Sequence, residues 1–282
     1  MSSLHSGSIH RQRMNVGAHI VLIIWSAVVL FPLWTMIVNS FKFKFDLYRD
    51  PFTLPVHWNF DSYASVLREG TFLIYFKNSL VVTILSILLI LVAGSVAAYS
   101  LANWRTRFSR IIYFFFIAGM MLPIKIGSIR LLQLMKALGL LNTIWSLIPV
   151  YVAMGLPIAI FVLTEFIRAI PGEITEAAVI DGATRLGVFA RVIVHLLRPA
   201  LATVAIFNLV PIWNDLWFPL IFINADSQKT LILGVTRLFG QYMTDWSKIL
   251  AVLTLSAIPV ILLYLAMAKQ FIRGLTAGAV KG

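Results

Sequence analysis

The chain has 282 residues, 60% of them hydrophobic and only 12% charged, with a net charge of +12, no cysteine and a mean hydropathy of +0.91. A soluble domain of this length carries roughly 45–50% apolar and about 25% charged residues, so that class is excluded. Without cysteine there is no disulfide framework and no thiolate metal site. Apolar stretches near the length of a bilayer crossing recur along the sequence, about 20 helical residues each. Lipid leaves unpaired backbone amides unsatisfied, so the expected fold class is all-α, a polytopic membrane protein. The alternating pattern of a membrane barrel strand is absent. The basic residues are scattered over the ends of apolar runs, which favours lipid headgroups over nucleic acid as counter-charge.

In chain order, residues 1–17 form an N-terminal tail with Arg11 and Arg13, and a first span runs from Ala18 to Ser40. That run is too long for a signal-peptide core and is read as retained. A polar, turn-rich segment from Lys42 to Thr71 follows, with a short amphipathic helix over Ser62–Arg68. The second span, Asn78–Leu101, carries Ala93, Gly94, Ala97 and Ala98, a small-residue stripe that reads as helix packing. A third span starts at Ile111 and must pass Pro123 and Lys125, so it requires a proline kink, with Lys125 and Arg130 turned from acyl chains. The fourth span covers Ile144–Thr164, the fifth Ala200–Ile223 and the sixth Ile249–Ala268, within a permease domain of residues 18–270 and before a tail of 271–282.

Orientation follows Lys and Arg placement. With both termini cytoplasmic, the inner segments hold Arg105, Arg107, Arg110, Arg168, Arg185, Arg191, Arg198, Lys269, Arg273 and Lys281 besides the N-terminal pair. The bias is clearest in the short Asn103–Arg110 loop.

Between spans four and five lies a charged island, about residues 168–198. Pro171 and Glu173 open a helix, with Glu173 and Glu176 suited to its positive end. Ala177 and Ala178 leave a bare surface, and Gly182 breaks the helix. A second helix from Thr184 sets Leu186, Phe189, Val192, Ile193 and Leu196 on one face and Arg191, His195 and Arg198 on another. The pattern fits either a docking surface for a soluble partner or an interfacial helix pair that anchors the bundle. In the fifth span, Asn208, Trp213, Asn214 and Asp215 interrupt an apolar run. They fit either a polar path, with Trp213 or Trp217 stacking on a pyranose ring, or a boundary at which Asp215 pairs with an arginine and the tryptophans join the aromatic belt.

The run from Glu176 through Ala177, Ala178 and Asp181 to Gly182 resembles the EAA loop of ABC importer permeases: E-A-A, three residues, then glycine. Leu196-Leu197-Arg198-Pro199-Ala200 is similar to that loop's ending. Trp213-Asn214-Asp215, Lys136–Thr143 and the tail Gly274–Gly282 resemble the carbohydrate branch, specifically its smaller, maltose-type subunit. The resemblance implies six spans with a cytoplasmic coupling helix between spans 4 and 5, in a multi-pass inner-membrane protein. It implies three protein partners: a second, non-identical permease, an ABC ATPase dimer and an extracytoplasmic solute-binding protein; membrane lipid is expected from composition. The implied ATPase-docking set is Glu173, Glu176, Ala177, Ala178, Asp181, Gly182 and Arg185, and the implied tail is extended, glycine-adapted and near the ATPase. Asp215 departs from the branch, where glutamate is common, and Lys77 makes the outer mouth more basic.

The chain carries no G-x-x-x-x-G-K-[ST] cradle, no H-E-x-x-H and no G-x-S-x-G elbow. No catalytic residue, metal site or cofactor is therefore expected on it; ATP and Mg would bind the ATPase. A sugar importer permease is the leading expectation. An ion-coupled secondary carrier would need an ion site in the spans, and a membrane scaffold would transport nothing.

Overall fold

The computed structural model describes residues 16–104, 106–239 and 245–279. Arg11, Arg13, Arg105, Lys281 and the end of the Gly274–Gly282 tail lie outside the described residues. Every regular element described is helical. Helix α1 spans Val16–Ser40, α2 Lys44–Arg49, α3 Asp61–Arg68 and α4 Thr71–Asn103. Helices α5 (Arg107–Met120) and α6 (Ser128–Ala137) flank the Pro123 break, and α7 covers Leu147–Arg168. Four helical stretches are long and apolar enough to cross a bilayer: Val16–Ser40, Thr71–Asn103, Ile144–Arg168 and Trp246–Lys269.

The third expected span is bent rather than gently kinked. Arg107–Met120 and Ile124–Ala137 meet at 86°. Proline removes a backbone donor and restricts the residue before it, which ends the first helix at this point. The second helix of the pair packs against residues 217–222. The α3 element matches the expected Ser62–Arg68 helix within one residue.

The core is built on α4 against α7. Gly94 and Ala98 are buried at this contact, and a Cβ on Gly94 would come within 2.8 Å of the Ala159 Cβ. The small residues thus act as spacers for close approach, as the stripe predicts, while Ala93 sits on the exposed face. Lower in the same seam, Gly155 admits Asn208 and Ile90: a Cβ there would stand 2.3 Å from Asn208 Oδ1 and 2.4 Å from Ile90 Cδ1.

At the other end of the bundle the loops are tied to helix ends. Asn78 Nδ2 donates to the carbonyls of Ser227 and Lys229, and Leu231 N donates to Ser79 Oγ. Asn142, left-handed at φ 64, accepts from the amides of Asn224 and Ala225. Asp226 bonds Lys229 at 2.8 Å with Arg237 at 3.0 Å beyond it, and Lys248 pairs with Glu69. Lys42 is fully buried and donates to the Asp50 carbonyl at 2.7 Å; desolvation pushes its pKa down, partly offset by Asp50 and Asp46.

Candidate coupling and pathway elements

After α7, Gly172–Ile180 forms α8, and Arg185–Val188 (α9) continues through a wide π turn over Phe189–Ile193 into Val194–Leu196 (α10). The junction is a Schellman turn. Gly182 N donates to the Val179 carbonyl and Ala183 N to the Ala178 carbonyl, both at 3.0 Å, while Gly182 takes φ +85°. That left-handed conformation disfavours a Cβ, so the glycine of the E-A-A pattern follows from the turn itself. Thr184 caps α9, its hydroxyl accepting from Gly187 N at 3.1 Å.

The polar side chains around this turn stand clear of the bundle, whereas Val188 and Ile193 are buried in it. Glu173, Glu176, Ala177, Asp181, Gly182 and Arg185 are exposed, whereas Ala178 is half-buried and faces the core. Among the described residues none of Glu173, Glu176, Asp181 or Arg185 is held in an ion pair. Beside them Val179, Ile180 and Leu186 are 55%, 85% and 75% exposed. With Tyr99 and Trp104 at the end of α4, they wall a groove of about 800 Å³ into which Glu176 and Arg185 reach. The Tyr99 hydroxyl donates to the Arg185 carbonyl at 3.3 Å, which ties the projecting segment to α4.

Helix α11 (Arg198–Trp213) leaves this segment at a 70° bend and is itself interrupted. The expected continuous span Ala200–Ile223 is broken at Asn214–Leu216, and Trp217–Phe222 (α12) resumes beyond. Asp215 causes the break: its carboxylate accepts from Trp217 N at 3.3 Å and Phe218 N at 3.1 Å, capping α12 from outside. Its third donor is the Tyr151 hydroxyl on α7, at 2.9 Å. The expectation of an arginine partner is corrected: Asp215 is satisfied by neutral donors. Trp213 is 4% exposed and donates Nε1 to the Ser256 carbonyl, so it offers no ring face to a ligand in this conformation. Asn208 is likewise buried, donating to the Val204 carbonyl. Asn214 and Trp217 are exposed, and Trp217 bonds Ser128 Oγ at 2.8 Å with Lys125 Nζ 5.7 Å from its ring centre. That cluster, where the two broken segments meet, was not legible as a unit because Ser128 and Trp217 are 89 residues apart.

The short Leu231–Val235 helix is α13, and the last helix, α14, runs from Trp246 to Ala279. The extended tail is therefore corrected: its backbone is helical through Gly274 and Gly278. Among the described residues no cluster of His, Cys, Asp and Glu could hold a metal ion.

A bundle of long apolar helices, two broken segments and an exposed helix–turn–helix at one end define a polytopic membrane subunit. Residues 90–277 match the family described as binding-protein-dependent transport system inner membrane component, and the chain belongs to that family. It is 32% identical to the diacetylchitobiose uptake system permease protein NgcG of Streptomyces coelicolor, over 95% of this chain and 89% of that protein. It is 33% identical to the multiple sugar-binding transport system permease protein MsmG of Streptococcus mutans, over 93% and 96%. In fold it is similar to a chain of a bacterial ABC transporter that imports the acidic polysaccharide alginate, with a TM-score of 0.79, 22% identity and coverage of 96% and 100%. The chain is thus an ABC importer permease, and the ion-coupled carrier is set aside.

Proposed function

We propose that this chain is the smaller permease subunit of a carbohydrate importer and that it takes its energy from a separate ATPase through the Gly172–Leu197 segment. The observation that carries the reading is the exposed Schellman turn, with Glu176, Ala177, Asp181 and Arg185 projecting from one end of the bundle. Glu176 accepts charge-assisted hydrogen bonds from the ATPase, Ala177 permits close approach, and Gly182 sets the turn; Glu173, Asp181 and Arg185 complete the contact, while Ala178 packs against the core and supports it from behind. The groove of Val179, Ile180 and Leu186 gives the docked surface an apolar floor. Residues 107–137 and 198–222, each interrupted, count as one span apiece beside the four long helices, which makes six, with both termini cytoplasmic.

The substrate is a sugar, in keeping with relatives named for diacetylchitobiose uptake and for a multiple sugar-binding transport system. A second permease completes the path, an extracytoplasmic binding protein delivers the solute, and ATP and Mg stay on the ATPase. Asn214 and Trp217 are the polar and aromatic groups of this chain available to such a path, whereas Asn208 and Trp213 support it from within.

The test is reconstitution with the cognate ATPase, second permease and binding protein. Glu176→Arg and Gly182→Val are expected to abolish co-purification of the ATPase and ATP-dependent sugar uptake while the chain still reaches the membrane. Wild-type uptake in both variants, or labelling of an Ala177→Cys variant from outside the cell, refutes the reading.

A further inference from the structure

A second pocket, of about 580 Å³, lies where α4 ends, α5 begins and α7 ends. It shares the Trp104 wall with the coupling groove but opens on different chemistry. Thr106, Ser109, Arg110, Tyr113 and Phe114 contribute from the start of α5, at spacings of three and four that place them on one helical face. Arg168 closes the pocket from α7, and no carboxylate lines it.

Arg110 supplies the uncompensated charge, while that of Arg168 is partly offset by Glu165. Arg168 spends one donor on Glu165 at 2.7 Å and lies over the Tyr113 ring at 4.9 Å, so its guanidinium is held in place with further N–H groups unused. Tyr113 also donates to Glu165 at 2.8 Å, which locks the rear wall. Arg110 is exposed and, among the described residues, its guanidinium has no hydrogen-bond or ion-pair partner. The Thr106 hydroxyl oxygen accepts from Ser109 N, leaving its O–H to donate outward. The positive end of α5 adds to the same field.

Apolar surface adjoins the arginines and runs on along α5. Trp104 is 62% exposed, and one turn beyond Arg110 Phe114 is 58% exposed, followed on that face by Met121 at 81%. A soluble anion would use the arginines and leave these surfaces wet. A molecule with a phosphate at one end and acyl chains at the other uses both.

We propose that this pocket binds the headgroup of an anionic phospholipid, its phosphate between Arg110 and Arg168 and its chains along Phe114 and Met121. Arginine matches phosphate with paired donors, and basic pockets between spans recognise lipid headgroups in this way. The site is independent of ATPase docking: no residue of the Gly172–Leu197 segment lines it.

The test is native mass spectrometry of the full-length chain, released from mixed micelles holding phosphatidylglycerol and phosphatidylcholine in equal amounts. The wild type is expected to retain phosphatidylglycerol preferentially. Loss of one charge-assisted contact in Arg110→Gln is expected to weaken that preference roughly tenfold. Arg110→Lys keeps part of it, and Arg49→Gln, at an arginine remote from the pocket, leaves it intact. Equal retention of the two lipids by the wild type overturns the proposal, and so does an equal loss in Arg49→Gln. Displacement of the lipid by free glycerol phosphate at matched concentration identifies a soluble-anion site and also overturns it. So does unchanged lipid retention in Arg110→Gln; loss of ATPase co-purification in that variant would then mark the surface as a protein contact.

Discussion

Replacing Asp215 with alanine tests the break in α11–α12 and its anchor on α7 together. The carboxylate accepts three hydrogen bonds, and the Tyr151 hydroxyl that supplies one of them belongs to a residue 1% exposed. Its removal deletes the two capping bonds and the charge-assisted bond from Tyr151, the last worth about 1.5–3 kcal/mol, and strands a buried hydroxyl at a cost of about 1–3 kcal/mol. The two overlap, so Asp215→Ala is expected to lose roughly 3 kcal/mol. Tyr151→Phe leaves the carboxylate its two backbone donors and is expected to lose about 1.5 kcal/mol. Once the hydroxyl is gone, deleting the carboxylate no longer strands it. The double variant is therefore expected to be milder than the sum by roughly 1–2 kcal/mol, within the range of directly coupled pairs. At about 2–4 °C per kcal/mol, Asp215→Ala lowers the melting temperature of the detergent-solubilised chain by about 6–12 °C. Melting followed by size exclusion, at one fixed heating rate for all four proteins, reads the cycle. Additivity within about 0.5 kcal/mol refutes the bond as the anchor.

Further expectations concern single positions. Gly155→Ala forces a methyl against Asn208 and Ile90 and is expected to cost about 1–3 kcal/mol, whereas Gly127→Ala, which meets open space, stays within about 0.5 kcal/mol; the same melting assay separates them. Gly182→Ala also meets open space, so its cost is the left-handed backbone alone, about 1–2 kcal/mol, and Gly182→Asn is expected to recover most of it; limited proteolysis at the turn distinguishes the two. The hydrogen bond from Lys229, with Arg237 adding attraction, holds the Asp226 carboxyl below its ordinary value of 3.8. A depressed carboxyl stabilises above that value and ceases to do so as pH falls through the lower folded one. Asp226→Asn is therefore expected to melt below the wild type at pH 6, with the gap closing below pH 3.8. A gap unchanged over that range counts against the loop pairing.

The spans with the strongest apolar runs were legible because length and hydropathy alone define them, and the turn at Gly182 because its backbone conformation selects glycine. Pro123 announced a break, but not a right-angled one: the turn is set by how α6 lies against α12, a contact between distant parts of the chain. The interruption at Asp215 was hidden for a related reason. Its capping bonds are local, yet the Tyr151 donor is 64 residues away, and sequence spacing carries no sign of it. An arginine looked the natural counterpart for a carboxylate near a bilayer, but one hydroxyl and two amides meet its needs with no cation. The tail misled through composition: Gly274 and Gly278 favour an extended chain in isolation, but they continue a helix that starts at Trp246 and reaches them through Leu265–Arg273, where Leu, Ala, Met, Lys, Gln and Arg predominate.

The Schellman turn also decides how an encounter at the projecting segment proceeds. Its glycine amide and the one after it already have carbonyl partners, and Thr184 secures the next helix start, so any visiting surface finds a finished contour. Little chain entropy is then left to lose on contact. Substitutions that keep the contour and change only its side chains should alter how long a complex lasts more than how often it forms.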